Sequence, residues 1–175
     1  MLKKGTFIIG FVFTSLLGTL LHFVFEWSGN NRVVAVFSAV NESTAEHLKL
    51  LFWPAVLMGI IEFYWLYRKN GQYFSYLFEG ILLGMGFIIA FFYTYQGIIG
   101  RNIDWLNILD FLLGVFVMRL WQWYKLSHDN SKSNTNRAGI LGIAILAAAF
   151  ILFTFYPPHI GLFLDPTNMK YGIVK

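Results

Sequence analysis

His22 and Glu26 stand four residues apart, one helical turn, so an imidazole and a carboxylate share one face of a helix. A second polar string runs Asn41-Glu42-Ser43-Thr44-Ala45-Glu46-His47-Leu48-Lys49, and a third closes Tyr156-Pro157-Pro158-His159. Imidazole nitrogen and carboxylate oxygen are the donors that hold zinc. Two or three imidazoles plus a carboxylate leave a position open, where water becomes acidic enough to attack near neutral pH. His22, Glu26, His47 and His159 are therefore candidate ligands of a divalent ion, and Glu42 or Glu46 is the candidate general base. Plainer roles compete with these. Glu42 and Glu46 suit the first turn of a helix, where its dipole favours acids. Glu46 and Lys49 form a helix pair, and His22 and Glu26 can bond each other. No HExxH signature is present.

Composition says which medium holds these groups. The 175 residues are 57% hydrophobic and 13% charged, about half the charge of an ordinary soluble domain. Ionised side chains in hydrocarbon are costly, about 2.5–3.5 kcal/mol each on insertion scales, so a gathering of them points to function. The net charge of +4 does not signal nucleic acid, because the basic residues form neither a run nor a stripe. The absence of cysteine excludes disulfides, thiolate metal sites and S-lipid anchors.

Five apolar stretches reach the roughly 20 residues that a helix needs to cross a bilayer, at about 5–27, 44–67, 73–95, 104–126 and 137–156. The expectation is an all-α, polytopic bundle forming one integral-membrane domain. An outer connection covers 28–43 and an outer tail covers 157–175. The first apolar run follows Lys3 and Lys4 but lacks a small-x-small cleavage site, so it reads as a retained helix rather than a signal peptide. Seven lysines and arginines flank the spans on the N-terminal side (residues 3, 4, 68, 69, 125, 132 and 137), against four on the other (32, 101, 170 and 175). That bias sets the N-terminus inside and the C-terminus outside, which brings all three polar strings to the outer face. A multi-pass protein of a bacterial inner membrane is expected, in contact with membrane lipids.

Within the connection, Val33-Val34-Ala35-Val36-Phe37 is apolar but too short to cross. It lies in the interface or dips back under cover of the bundle. Asn41 or Ser43 can cap the second span, and Ser43 with Glu46 fits a capping box. Trp27, Trp53 and Trp105 suit the interfacial belt. Gly80 and Gly84 form a small-residue face for helix packing within the bundle. Pro54 is the one candidate break in the second span. Segment 127–136 is expected to be a polar, mobile linker. Asp104 and Asp110 stand near the outer end of the fourth span, with Arg101 available to either. Tyr93-Thr94-Tyr95 could line the same pocket. Glu62 and Glu79 read as structural partners of Arg119 or Arg68 rather than as a relay.

The strings His22-Phe23-Val24-Phe25-Glu26-Trp27-Ser28-Gly29, Asn41 to Leu50 with Pro54, and Phe153 to Ile160 with Asp165-Pro166 and Tyr171-Gly172 resemble a family of small bacterial integral-membrane proteins of unknown function. Ala39 and Gly161 depart from that pattern, where proline is expected. The resemblance implies that the three strings belong together and brings no activity with it. Membrane hydrolases of the ceramidase and adiponectin-receptor type are similar in donor chemistry only, since their seven-span pattern is not reproduced. Three functions stay open: a metal-dependent hydrolase or transferase on a lipid or envelope substrate, a small-solute or ion transporter, and a non-catalytic membrane partner. Paired broken helices and inverted repeats, the usual marks of the second, are missing.

Overall fold

Long apolar helices dominate the computed structural model, which describes residues 4–128 and 134–173. α1 spans Lys4–Trp27, and a single turn, α2, spans Arg32–Ala35. α3 covers Thr44–Glu62 and runs on through a π-helical turn, Phe63–Tyr67. α4 covers Tyr73–Ile99, α5 Asp104–His128 and α6 Asn136–Phe155. A two-residue hairpin, β1 Leu164–Asp165 against β2 Lys170–Tyr171, ends the described chain. The centre of the expected linker, 129–133, falls outside the described residues.

Four of these helices are long and apolar enough to cross a membrane: Gly5–Trp27, Thr44–Tyr67, Tyr73–Ile99 and Asn136–Phe155. The protein is an all-α membrane protein. α5 is equally long but carries more polar groups, and those groups point inward: Asp110, Arg119 and Gln122 are all buried. α4 runs four residues past the apolar stretch and stops at Gly100, whose left-handed backbone turns the chain.

α5 can bury polar groups because its backbone lies against α4. A Cβ added to Gly84 would come within 2.7 Å of the Gly114 carbonyl oxygen and 3.0 Å of Met118 Cβ. The Gly80–Gly84 face is thus spent on packing inside the bundle. Gly84→Ala is expected to cost about 1–3 kcal/mol by overpacking. Unfolding in detergent measures that cost, and unchanged stability would deny the close contact.

Deeper in the bundle, Glu62 accepts from Arg119 at 2.6 and 3.1 Å and from Tyr73 at 2.8 Å. Arg119 also donates to the Thr6 carbonyl and to Gln122. One buried ion pair therefore ties α1, α3, α4 and α5 together, which is the structural role the sequence suggested for Glu62. Glu79 accepts from the Trp121 indole at 3.0 Å.

The connection 28–43 dips back into the bundle. Ala35 and Ser38 are fully buried, Phe25 N–H donates to Ser38 Oγ, and Trp53 Nε1 donates to the Val36 carbonyl at 2.9 Å. Trp53 thus pins this segment, whereas Trp27 and Trp105 remain exposed as belt residues would.

Candidate metal centre

Helix α3 starts at Thr44, as the apolar stretch 44–67 and a Ser43 cap imply, and this leaves Glu42 outside the helix. Ser43 is the N-cap, its hydroxyl accepting from Glu46 N–H at 3.4 Å. Glu42 therefore precedes the helix and lies on no face shared with Glu46. Its carboxylate turns instead towards two imidazoles. His22 Nε2 lies 3.7 Å from Glu42 Oε1, and His47 Nε2 lies 3.5 Å from Glu42 Oε2. The two rings are 5.2 Å apart between centroids. Among the described residues, His22, Glu42 and His47 form a group whose ligand atoms all lie within 4.8 Å of one another.

Those distances have chemical content. A tetrahedral zinc ion with bonds of about 2.1 Å holds its ligand atoms about 3.4 Å apart, so both imidazole–carboxylate separations are already near that edge. His47 Nδ1 lies 2.9 Å from the Ser43 carbonyl oxygen, an acceptor that makes this nitrogen the proton-bearing one. When that ring is neutral, its bare Nε2 lone pair faces an anionic carboxylate; when it is protonated, Nε2–H donates to Glu42. Two electron-rich atoms facing each other need a cation between them, either a proton or a metal ion. The hydrogen bond to His47 holds the Glu42 carboxyl below its ordinary value, against an opposing push from burial, with the charges of His47 and His22 adding to the fall. His22 Nδ1 is buried without a hydrogen-bond partner.

The group stands in the wall between two cavities. A small one, about 50 Å³, lies between α3, α4 and α5, and its lining includes Glu42, His47, Asn102, Asn107 and Asp110. A larger one, about 310 Å³, lies between α1, α3 and α5, with His22, Glu42 and His47 at its polar end. Asp110 is 2% exposed and its Oδ1 has no hydrogen-bond partner. Over the small chamber, Tyr95 donates to Asn102 and Asn107, and Asn107 Nδ2 donates to Asn102 Oδ1 at 2.8 Å. Among the described residues no ion pair joins Arg101 to Asp104 or Asp110.

The other candidates are placed elsewhere. Glu46 is buried, pairs with Lys49 at 2.6 Å and accepts from Val40 N–H at 2.9 Å. It is not one of the three grouped ligands, and it does not complete a capping box, since Ser43 N–H goes to Asn41 Oδ1. Glu26 is exposed on the turn beyond His22; its charge reaches that imidazole, but it is not one of the three grouped ligands. His159 is exposed and stacks on Tyr171 at 4.5 Å, away from His22 and His47. The reason is the hairpin, which draws the tail aside. Asp165 knots its turn by accepting from Thr167 and Asn168, and Gly172 accepts from Asn41 Nδ2 at 2.9 Å. The tail thus reaches the outer connection without delivering its imidazole.

A family model matches residues 2–173, which include every residue of the site. The chain belongs to DUF6512, a family of unknown function. No curated protein and no solved structure matches the chain. The resemblance in the three polar strings therefore stands at the level of the family, and any activity has to come from the site itself.

Proposed function

We propose that the chain is a metal-dependent membrane hydrolase, or a closely related transferase, with zinc held by His22, Glu42 and His47. The observation that carries this reading is the pair of short separations, 3.5 and 3.7 Å, between a carboxylate and two imidazole nitrogens beside an open cavity. In this reading α5 is a fifth crossing, and the site sits at the extracytoplasmic face of a bacterial inner membrane. The excess of basic residues on the N-terminal side supports that orientation.

When bound, zinc supplies a Lewis acid that polarises a carbonyl and makes water nucleophilic near neutral pH. The small chamber, at about 50 Å³, exceeds the roughly 10–15 Å³ that one water needs, and it is lined by polar groups that can hold one. Water oxygen bonds to the carbonyl carbon as the bond to the leaving oxygen or nitrogen breaks. Asp110 takes the proton from that water and returns it to the leaving atom. Glu46 has no part in this, because Lys49 closes it. Glu46 and Glu62 are each paired with a cation, which favours hydrolysis over a proton or cation relay.

The test uses the purified chain reconstituted in liposomes of total membrane lipid extract, stripped by chelator and then given zinc. New products by mass spectrometry, dependent on zinc and absent with His47→Ala, are expected. Zinc-loaded protein that leaves every lipid and envelope precursor in the extract unchanged would remove the hydrolase reading.

A further inference from the structure

The 310 Å³ cavity runs inward from the metal-ligand group along α1, α3 and α5; Asp104 and Asn107 add polar groups near the start of α5, and most of the remaining wall is apolar. Gly18, Leu50 and Phe111 form its inner end. Pro54 has no N–H to give the Leu50 carbonyl, so that oxygen is freed from the helix ladder. Gly18 packs directly against it: a Cβ there would stand 2.4 Å from the Leu50 oxygen and 2.5 Å from Phe111 Cζ. Thr19 adds no free polar group to the wall, because its hydroxyl donates to the Ser15 carbonyl at 2.9 Å. Towards the side, Phe23 is 43% and Ile108 63% exposed. Phe23 lies within a membrane-spanning stretch and Ile108 on α5, in this reading the fifth crossing, so the flank they form opens onto hydrocarbon rather than water.

From these features we infer that the groove takes one acyl chain, entering sideways from the bilayer, and that the substrate is an ester or amide of that acyl group. The inference rests on the hydrolase reading above and names its substrate class. An inner end closed by Phe111 and by Gly18 packed over the Leu50 oxygen, with a polar end at three metal ligands, matches a molecule with a hydrocarbon tail and a carbonyl head. At about 30 Å³ for each water-sized group, the volume admits on the order of ten such groups. A helix from a second copy, about 10 Å across, is too wide for a groove of that size. His22 to Gly18 is one helical turn, about 6 Å, so the groove grips only the part of the chain nearest the carbonyl. The rest of the tail stays in the bilayer. Water adds to the acyl carbon, the carbon–oxygen or carbon–nitrogen bond breaks, and the released alcohol or amine leaves with a proton while the fatty acid returns to the membrane.

The full chain in nanodiscs, doped with a phosphatidylcholine bearing a diazirine in one acyl chain near its carbonyl, supplies the test. After irradiation, adducts on the Gly18–Thr19 and Phe111 segments are expected to exceed several-fold those on the exposed Leu141 face of α6. Ile108→Trp, which fills the groove from its rim, is expected to remove the excess, and Leu141→Trp to leave it. Uniform labelling, or an excess that Ile108→Trp does not change, overturns the groove. Zinc content of the same samples keeps the two ideas apart. Bound zinc without excess labelling rejects the acyl groove alone, and excess labelling on a wild-type chain that binds no zinc rejects the hydrolase while keeping the groove.

Discussion

Asp110→Asn is expected to lower turnover by about 10²- to 10⁴-fold while zinc content stays at the wild-type level. The substitution is nearly isosteric, so the packing of α5 against α4 is kept. What it removes is the ability to take a proton. Asp110 is 2% exposed in the chamber that also holds Glu42 and His47, and its Oδ1 is unpartnered. A buried polar atom left without a bond costs about 1–3 kcal/mol, a penalty that a water in the chamber would relieve. The loss should fall on kcat, with KM little changed, because Asp110 lines the water side and not the acyl groove. A variant with full turnover would show that the carboxylate serves packing only and that another group moves the proton.

Lys49→Met is expected to destabilise the fold by about 3–5 kcal/mol, because it leaves a buried carboxylate without its cation. Lys49 is fully buried and makes three contacts: Glu46 at 2.6 Å, the Ala35 carbonyl at 2.8 Å and Thr154 Oγ1 at 2.9 Å. One ammonium group therefore joins α3, the re-entrant connection and α6. Without it Glu46 stays buried with only the Val40 N–H for company. Replacing both partners, Lys49→Met with Glu46→Met, is expected to recover most of the loss, because neither charge is then stranded. Unfolding in mixed micelles measures both. The double variant also separates roles: if it folds and still turns over, Glu46 is structural, and if it folds but is inactive, Glu46 belongs to the chemistry after all.

The long helices are legible in the sequence because lipid demands runs of apolar residues, and composition alone reports them. α5 is harder to read, since Arg119 is balanced by Glu62 and Thr6 on other helices, partners that hydropathy does not see. Arg119 meets Glu62 across 57 positions, a match suggested by charge and fixed only by packing. The site was half legible. His22 and His47 meet as their topology implies, and Ser43 caps the second span as the sequence suggests, but nothing in the sequence says which way the Glu42 carboxylate turns. Glu42, ahead of the cap, turns to the two imidazoles, and Glu46 takes the Lys49 pair that its spacing offers. His159 stands outside the imidazole–carboxylate group because proximity to one end of a bundle does not say which way a tail folds. The β1–β2 hairpin, knotted by Asp165, turns its ring onto Tyr171. Asp110 gave a weaker signal than it merited. A lone carboxylate in an apolar helix suggests a partner, and here its Oδ1 has none.

A cation shared by two imidazoles and one carboxylate is the centre of the proposed chemistry, and metal content of the purified chain measures it directly. Wild-type protein exposed to zinc and washed through a weak chelator should retain about one ion per chain, and His159→Ala should retain the same. His22→Ala, Glu42→Gln and His47→Ala should each lower affinity by at least the 10- to 100-fold seen when even supporting groups around a metal are lost. A wild-type chain that retains no ion, or variants at the three positions that bind zinc as the wild type does, would contradict the metal centre.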